Sequence, residues 1–244
     1  MRLEGEIREI NSLTGNQIDR MFKLMTIYFE GISRDAFNKD LLEKKCVILL
    51  RDYVTGEIQG FSTQMILEQI IDETHYKAVF SGDTIINKDY WGDTELMRIW
   101  GRFVLSLMRE NKNHKLYWFL ISMGYKTYRF LPVFFKEFYP RYDKPTPEHE
   151  KRIIDTFGKK RYPLEYNDKL GIISPIKRNV YLKPGVADIN SHLLKNPHIA
   201  FFLRKNPSYH EGDELACIAE LSAENLKPVL YKIINHDRSF HVKE

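Results

Sequence analysis

Residues Ala78 to Met108, AVFSGDTIINKDYWGDTELMRIWGRFVLSLM, decide how the rest of the chain is read. Apolar and β-favouring residues from Ala78 to Ile86 predict a strand, and Asn87 to Asp93 predict a turn-prone loop. After Thr94, the apolar positions Leu96, Met97, Trp100, Phe103, Val104, Leu107 and Met108 fall three and four apart, the spacing of an amphipathic helix. The first turn of such a helix leaves amide N–H groups without intrahelical partners, and its dipole favours negative charge. A strand, a glycine-containing loop and a helix in this order therefore make a site for a phosphate or diphosphate. The plainer alternative is that Thr94 or Asp93 only caps a core helix.

Outward from this stretch, Glu6 to Ile10 predicts a first strand. Thr14 and Gln17 form a capping box ahead of the apolar stripe Ile18, Met21, Phe22, Met25 and Phe29. Ser33 caps a second short helix carrying Ala36, Phe37, Leu41 and Leu42. Cys46 to Arg51 and Glu57 to Leu67 read as a hairpin, and His75 to Ile86 as a third antiparallel strand. Lys115 to Ser122, KLYWFLIS, has the composition of a central strand, followed by a helix-prone segment in which Pro132 marks a start, kink or break. This order predicts an α/β fold: a mixed, largely antiparallel central sheet flanked by helices.

Past Pro140 the character changes. Residues 1–142 read as a core, and 143–244 as a C-terminal extension that either completes the sheet or shapes one side of a site. Within it, His149 to Gly158 predicts a short helix, and Ile199 to Leu203 and Leu215 to Leu221 predict strands. Ser222 is expected to cap a last helix running through Ile234.

The 244 residues, 29.0 kDa, are enough for a sizeable core. A formal charge of +4 is too small to imply nucleic acid and suits an anionic small molecule equally well. The basic run Arg141, Lys144, Lys151, Arg152, Lys159, Lys160 and Arg161 alternates with acids, as a solvated face does. Cys46 and Cys217 alone exclude a disulfide framework or a cysteine-rich metal site. His192, His198, His210, His236 and His241 match no compact metal spacing, so no metal is expected. The charged N-terminus lacks a signal-peptide apolar region, and no run approaches the roughly 18 apolar residues of a transmembrane helix. A cytoplasmic protein is the expectation.

The element order and the Ala78 to Met108 loop resemble the GCN5-related N-acetyltransferase (GNAT) superfamily, over roughly Glu6 to Tyr139. In that superfamily the diphosphate loop runs Gln or Arg, two variable residues, Gly, one variable residue, then Gly or Ala. The matching residues are Asp89, Tyr90, Trp91, Gly92, Asp93 and Thr94. Gly92 matches, whereas Asp89 and Thr94 depart. Asp89 and Asp93 would bring negative charge to a diphosphate, with Lys88 and Arg98 available to offset it.

The resemblance implies an acyl-CoA-dependent N-acyltransferase using acetyl-CoA or a longer acyl-CoA and no metal. Backbone groups at Ile85, Ile86 and Asn87 would align the pantetheine arm, and the amides of Gly92, Asp93, Thr94 and Glu95 would hold the diphosphate. The strands ending near Ile86 and Ser122 would be neighbours that diverge beside Gly92. A tyrosine after the central strand would protonate the leaving thiolate, which points to Tyr128 first and Tyr125 second.

Acyl transfer also needs a base for the amine. The candidates before the loop are Glu68, Asp72, Glu73 and His75, with Glu68 and His75 preferred on position and intrinsic pKa respectively. The eleven rings between Tyr117 and Tyr142 read either as core or as a pocket for a larger acyl group. The acceptor would be a small-molecule, peptide or carrier-bound amine, and a homo-oligomer is compatible with this reading. The competing class is a non-catalytic ligand-binding or protein-interaction module on the same fold.

Overall fold

In the computed structural model, which describes residues 1–111, 114–176 and 180–236, the opening stretch forms the middle of an eight-stranded sheet. The chain begins with β1 (Leu3–Glu9), α1 (Gly15–Tyr28), β2 (Phe29–Glu30) and α2 (Arg34–Leu42). The meander β3 (Cys46–Asp52), β4 (Ile58–Ile71) and β5 (Thr74–Ile86) follows, then α3 (Glu95–Glu110) and β6 (Lys115–Ser122). Two single turns, α4 (Tyr125–Tyr128) and α5 (Phe130–Phe134), precede α6 (Glu148–Arg161) and the short strands β7 (Tyr166–Asn167), β8 (Ile172–Ile173) and β9 (Tyr181–Leu182). Then come α7 (Pro197–Lys205), β10 (Glu214–Glu220) and α8 (Pro228–Asn235).

The sheet order is β1-β3-β4-β5-β6-β10-β8-β7, while β2 and β9 pair separately. Every neighbouring pair is antiparallel except β5 and β6, which are parallel because α3 carries the chain back across the sheet between them. The C-terminal part thus supplies β10, β8 and β7 to the same sheet as the N-terminal part. The fold is α/β: a mixed, largely antiparallel sheet flanked by helices.

The central strands are apolar at consecutive positions because both sheet faces are covered. Val79, Trp118, Leu120 and Cys217 pack under α3, α7 and α8, whereas Phe80, Phe119 and Ile218 pack under α6. Val47, Leu49 and Phe61 meet Met21, Leu24 and Met25 of α1 and Phe37 of α2. The capping box at Thr14 is formed in full, and Ser33 accepts the Ala36 N–H at the start of α2.

Two expectations are corrected in the tail. Ile199 to Leu203 is helical: Asn196 accepts the His198 and Ile199 N–H groups, Pro197 pre-sets the first turn, and α7 then buries Ile199 and Phe202. Ser222 caps only a turn, accepting the Asn225 N–H at 3.3 Å, and α8 starts six residues later at Pro228. Among the described residues no helix is long and apolar enough to cross a membrane.

Candidate active site

The parallel pairing of β5 with β6 runs from Tyr76 opposite Lys115 to Ser81 opposite Leu120 and then stops. Beyond that point β5 stays with β4, Thr84 opposite Ser62 and Ile86 opposite Gly60, while β6 stays with β10 through Ser122 and Leu215. The strands expected to diverge beside Gly92 therefore do so. Between them opens a cavity of about 940 Å³, into which β5 turns an edge, Gly82 to Ile86, that β6 does not pair.

A polar chain locks the point of separation. The Trp118 indole N–H donates to Ser81 Oγ at 3.0 Å, Ser81 donates to Gln64 Oε1 at 2.9 Å, and Gln64 donates to Ser62 Oγ at 2.8 Å. Ser62 in turn lies 2.8 Å from the Thr84 hydroxyl. At the same place a bulge sets Gly82 and Asp83 against Thr63 alone, and such a bulge re-aims side chains. Gly82 has no room for a side chain: a Cβ there would lie 2.7 Å from Lys44 Cε and 2.7 Å from Thr63 Oγ1.

The bulge presents Asp83 to the cavity, where Asp40, Lys44, Tyr162 and Glu214 also line the wall. Among the described residues no hydrogen bond or ion pair reaches the carboxyl of Asp83 or of Glu214. Burial pushes the Asp83 pKa up to about 7, with Asp40 raising it further and Lys44 opposing. Burial likewise pushes Glu214 up to about 8, aided by the charges of Asp83 and Asp40. Both side chains are half-buried and line the cavity. The Lys44 ammonium is buried and donates to the Asp40 carbonyl at 3.1 Å and carboxylate at 2.5 Å. Asp40 also accepts from Arg161 at 2.7 Å.

The Gly92 loop forms the opposite wall. Gly92 has φ +104° with open space where a Cβ would project. The loop is braced from behind: Tyr28 Oη accepts the Lys88 N–H at 2.6 Å, and Tyr90 donates to Asp52 at 2.8 Å. Asp93 Oδ1 accepts the Glu95 N–H at 2.7 Å and Oδ2 accepts the Leu3 N–H at 3.1 Å. Glu95 is buried, accepts the Gly5 N–H at 2.9 Å and is forked by Arg98 at 2.7 and 2.6 Å.

Of the expected donor-side residues, Ile85, Ile86, Gly92, Asp93 and Thr94 line the cavity. Asn87, Glu95 and Arg98 do not: Asn87 donates to Gln59 at 2.8 Å, and the Glu95–Arg98 pair faces β1. Lysine 88 is likewise absent from the cavity wall.

The expected catalytic residues lie elsewhere. Tyr128 is fully buried, stacks among Phe138, Phe201 and Phe202, and donates to the Pro140 carbonyl at 2.9 Å. Burial raises its phenol pKa, and it is absent from the cavity wall, which Tyr125 lines instead. Glu68 pairs with Lys77 at 3.2 Å, and His75 sits beside His114 with ring centroids 6.3 Å apart. Both belong to the hairpin end of β4 and β5, where Asp72 and Glu73 form the turn with left-handed backbones. Eight residues of strand separate His75 from Asp83, roughly 26 Å at 3.3 Å per residue. Two cavity-wall carboxyls that the sequence reading does not single out, Asp83 and Glu214, carry one sequence signal each: a carboxylate within or opening an apolar strand run.

Among the described residues no group of three His, Cys, Asp or Glu side chains could hold a metal ion, and His241 lies outside them.

The resemblance would put an acyl thioester of coenzyme A in this cavity, whose β5 edge beyond the last β6 pair suits the pantetheine part of such a donor. An extended arm with amides can add to the open β5 edge as a further strand does. The start of α3 is less suited to its phosphates, since the Asp93 carboxylate already takes an N–H there.

No family model and no curated protein matches the chain. Solved structures do. A probable N-acyltransferase from Enterococcus faecalis is 12% identical with a TM-score of 0.40 over 55% of this chain, and the match spans only 33% of that protein's length. Glucosamine-6-phosphate N-acetyltransferase from Arabidopsis thaliana is 13% identical with a TM-score of 0.34, over 48% of this chain and 81% of that one. A variant of the AtaT toxin, bound to the C-terminus of its antitoxin AtaR and acetyl-CoA, is 14% identical with a TM-score of 0.37, over 55% and 85%. At these values the likeness is one of fold.

Proposed function

We propose that the chain is an acyl-CoA-dependent N-acyltransferase, moving an acetyl or longer acyl group to a cationic amine. The observation that carries this reading is the β5 edge of Gly82 to Ile86, which β6 does not pair, running into a cavity beside Asp83, a carboxyl that titrates near neutrality. Coenzyme A, when bound, supplies the acyl group as a thioester. Backbone groups of Gly82 to Ile86 orient the pantetheine amides, and the apolar walls from Leu96, Met97 and Phe134 exclude water.

Asp83 accepts the proton that an ammonium must lose before its nitrogen attacks. A pKa of about 7 leaves it partly ionised at neutral pH and strong enough as a base to matter. The ionised fraction of Asp83 favours a cationic acceptor over an acidic one, while Glu214, with its pKa of about 8, is largely protonated at neutral pH and adds little charge. Tyr125, at the cavity wall on the α4 side, takes the role of proton donor to the departing thiolate.

A second reading, a non-catalytic binding or interaction module, draws support from Asp93 at the start of α3, where an anion would otherwise sit. Two experiments separate the readings. Calorimetric titration with coenzyme A and acetyl-CoA should give binding, and free-thiol release from acetyl-CoA should then depend on an added amine, with diamines ahead of amino acids. Absence of donor binding would leave the non-catalytic reading in possession.

A further inference from the structure

We propose that Lys126 and Arg129, on the α4 side of the cavity, hold the donor's diphosphate in place of the amides at the start of α3. The assignment rests on the acyltransferase reading and locates the phosphates within it. At the start of α3 the chain supplies its own anion: Asp93 accepts the Glu95 and Leu3 N–H groups. Glu95 is spent on Gly5 and Arg98, and Asp89 adds a further carboxylate to the loop. A diphosphate placed on those amides would meet like charge at close range, which opposes binding.

The other wall has the opposite character. Lys126 and Arg129 line the same cavity, and among the described residues neither forms an ion pair. Asp188 acts on Lys126 through its field alone. The Lys126 ammonium lies 3.4 Å from the centroid of the Trp91 ring, whose indole N–H is fixed to the Ile86 carbonyl at 2.9 Å. Trp91 comes from the β5–α3 loop and Lys126 from the segment after β6, so the contact spans the split between the strands. Both residues are solvent-exposed, which puts the clasp at the cavity rim. An ammonium resting on a ring face keeps N–H bonds free for phosphate oxygens. Arg129, one turn of chain further on, adds a planar fork suited to phosphate.

The test is calorimetry of coenzyme A, dephospho-coenzyme A and pantetheine with wild type, K126A and R129A at fixed ionic strength. Each substitution should weaken coenzyme A about tenfold. The same loss should persist with dephospho-coenzyme A, and pantetheine, which has no phosphate, should bind all three proteins alike. A loss that vanishes with dephospho-coenzyme A moves the contact to the 3′-phosphate and overturns the assignment. So does an unchanged coenzyme A affinity, or an equal loss for pantetheine. If wild type binds none of the three, the acyltransferase reading itself falls and takes this assignment with it. Wild-type binding of pantetheine keeps the two failures apart.

Discussion

From Thr74 to Ser81, β5 is hydrogen-bonded along both edges or closed by the hairpin, whereas from Gly82 to Ile86 it keeps β4 and loses β6. The first half carries Ala78, Val79 and Phe80, buried against helices on both faces. The second carries a bulge, a glycine with no room for a methyl group and an unpaired carboxyl facing a cavity. One strand is thus core at one end and a cavity wall at the other. The difference arises where a neighbouring strand stops pairing, and it is there that β5 backbone and a titratable side chain face a cavity.

The largest test of this contrast is Asp83→Asn. It removes the base but keeps the shape, so turnover should fall by roughly 10² to 10⁴-fold with coenzyme A affinity little changed. Steady-state rates beside calorimetry check this; wild-type turnover would remove Asp83 from the chemistry. The same group predicts a stability effect of definite sign. The unfolded pKa values of Asp83 and Glu214 lie near 3.8 and 4.5, and folding raises them to about 7 and about 8. Between those limits the native state holds more protons than the unfolded chain, so stability should fall as pH climbs from about 4 to about 8. Urea midpoints measured across that range should slope less in Asp83→Asn and in Glu214→Gln.

How far all this was legible depends on whether the signal is local. The Thr14–Gln17 capping box, the β3–β4 hairpin and the α3 stripe are patterns within about a dozen residues, and the structure follows them. IAFFL at Ile199 to Leu203 is too short for its apolar run to distinguish a strand from a helix; Asn196 and Pro197 just before it carry the deciding helix-start signal. The cavity-lining residues Ile85, Ile86, Gly92, Asp93 and Thr94 are legible for the same reason. Asp83 and Glu214 are not, because a carboxylate in a strand looks the same whether its neighbour pairs or departs. Tyr125 and Tyr128 are told apart by the packing of Phe138, Phe201 and Phe202 on Tyr128, and the last two rings arrive from more than 70 residues further along the chain.

A smaller effect, on the boundary between the two halves of β5, is expected from Gly82→Ala. The methyl group would press on Lys44 Cε and Thr63 Oγ1; Lys44 cannot swing away freely because its ammonium is held by Asp40. The cost should be about 1–3 kcal/mol, read as a lower urea midpoint with an unchanged slope. Lys44→Met removes the cation that opposes the rise in the Asp83 pKa. With Asp40, Glu214 and Tyr162 still on the cavity wall beside that carboxyl, the acidic limb of the rate profile should move to higher pH by about one unit or more. An unmoved limb would mean that Lys44 only packs.

The smallest effects belong to the hairpin end. His75→Ala and Glu68→Gln alter exposed side chains whose contacts are a neighbouring His114 ring and a surface pair with Lys77 at 3.2 Å. Surface pairs of this kind contribute about 0–1 kcal/mol, so both variants should unfold within about 0.5 kcal/mol of wild type. Their turnover should also stay within about twofold, since roughly 26 Å of strand separates His75 from Asp83 and no proton can pass directly over that span. A clear loss of turnover in either variant, at unchanged stability, would place chemistry at the fully paired end of β5. That outcome would break the division between its halves, and the smaller cavity of about 500 Å³ beside His75, His114 and Glu220 would become the site to study.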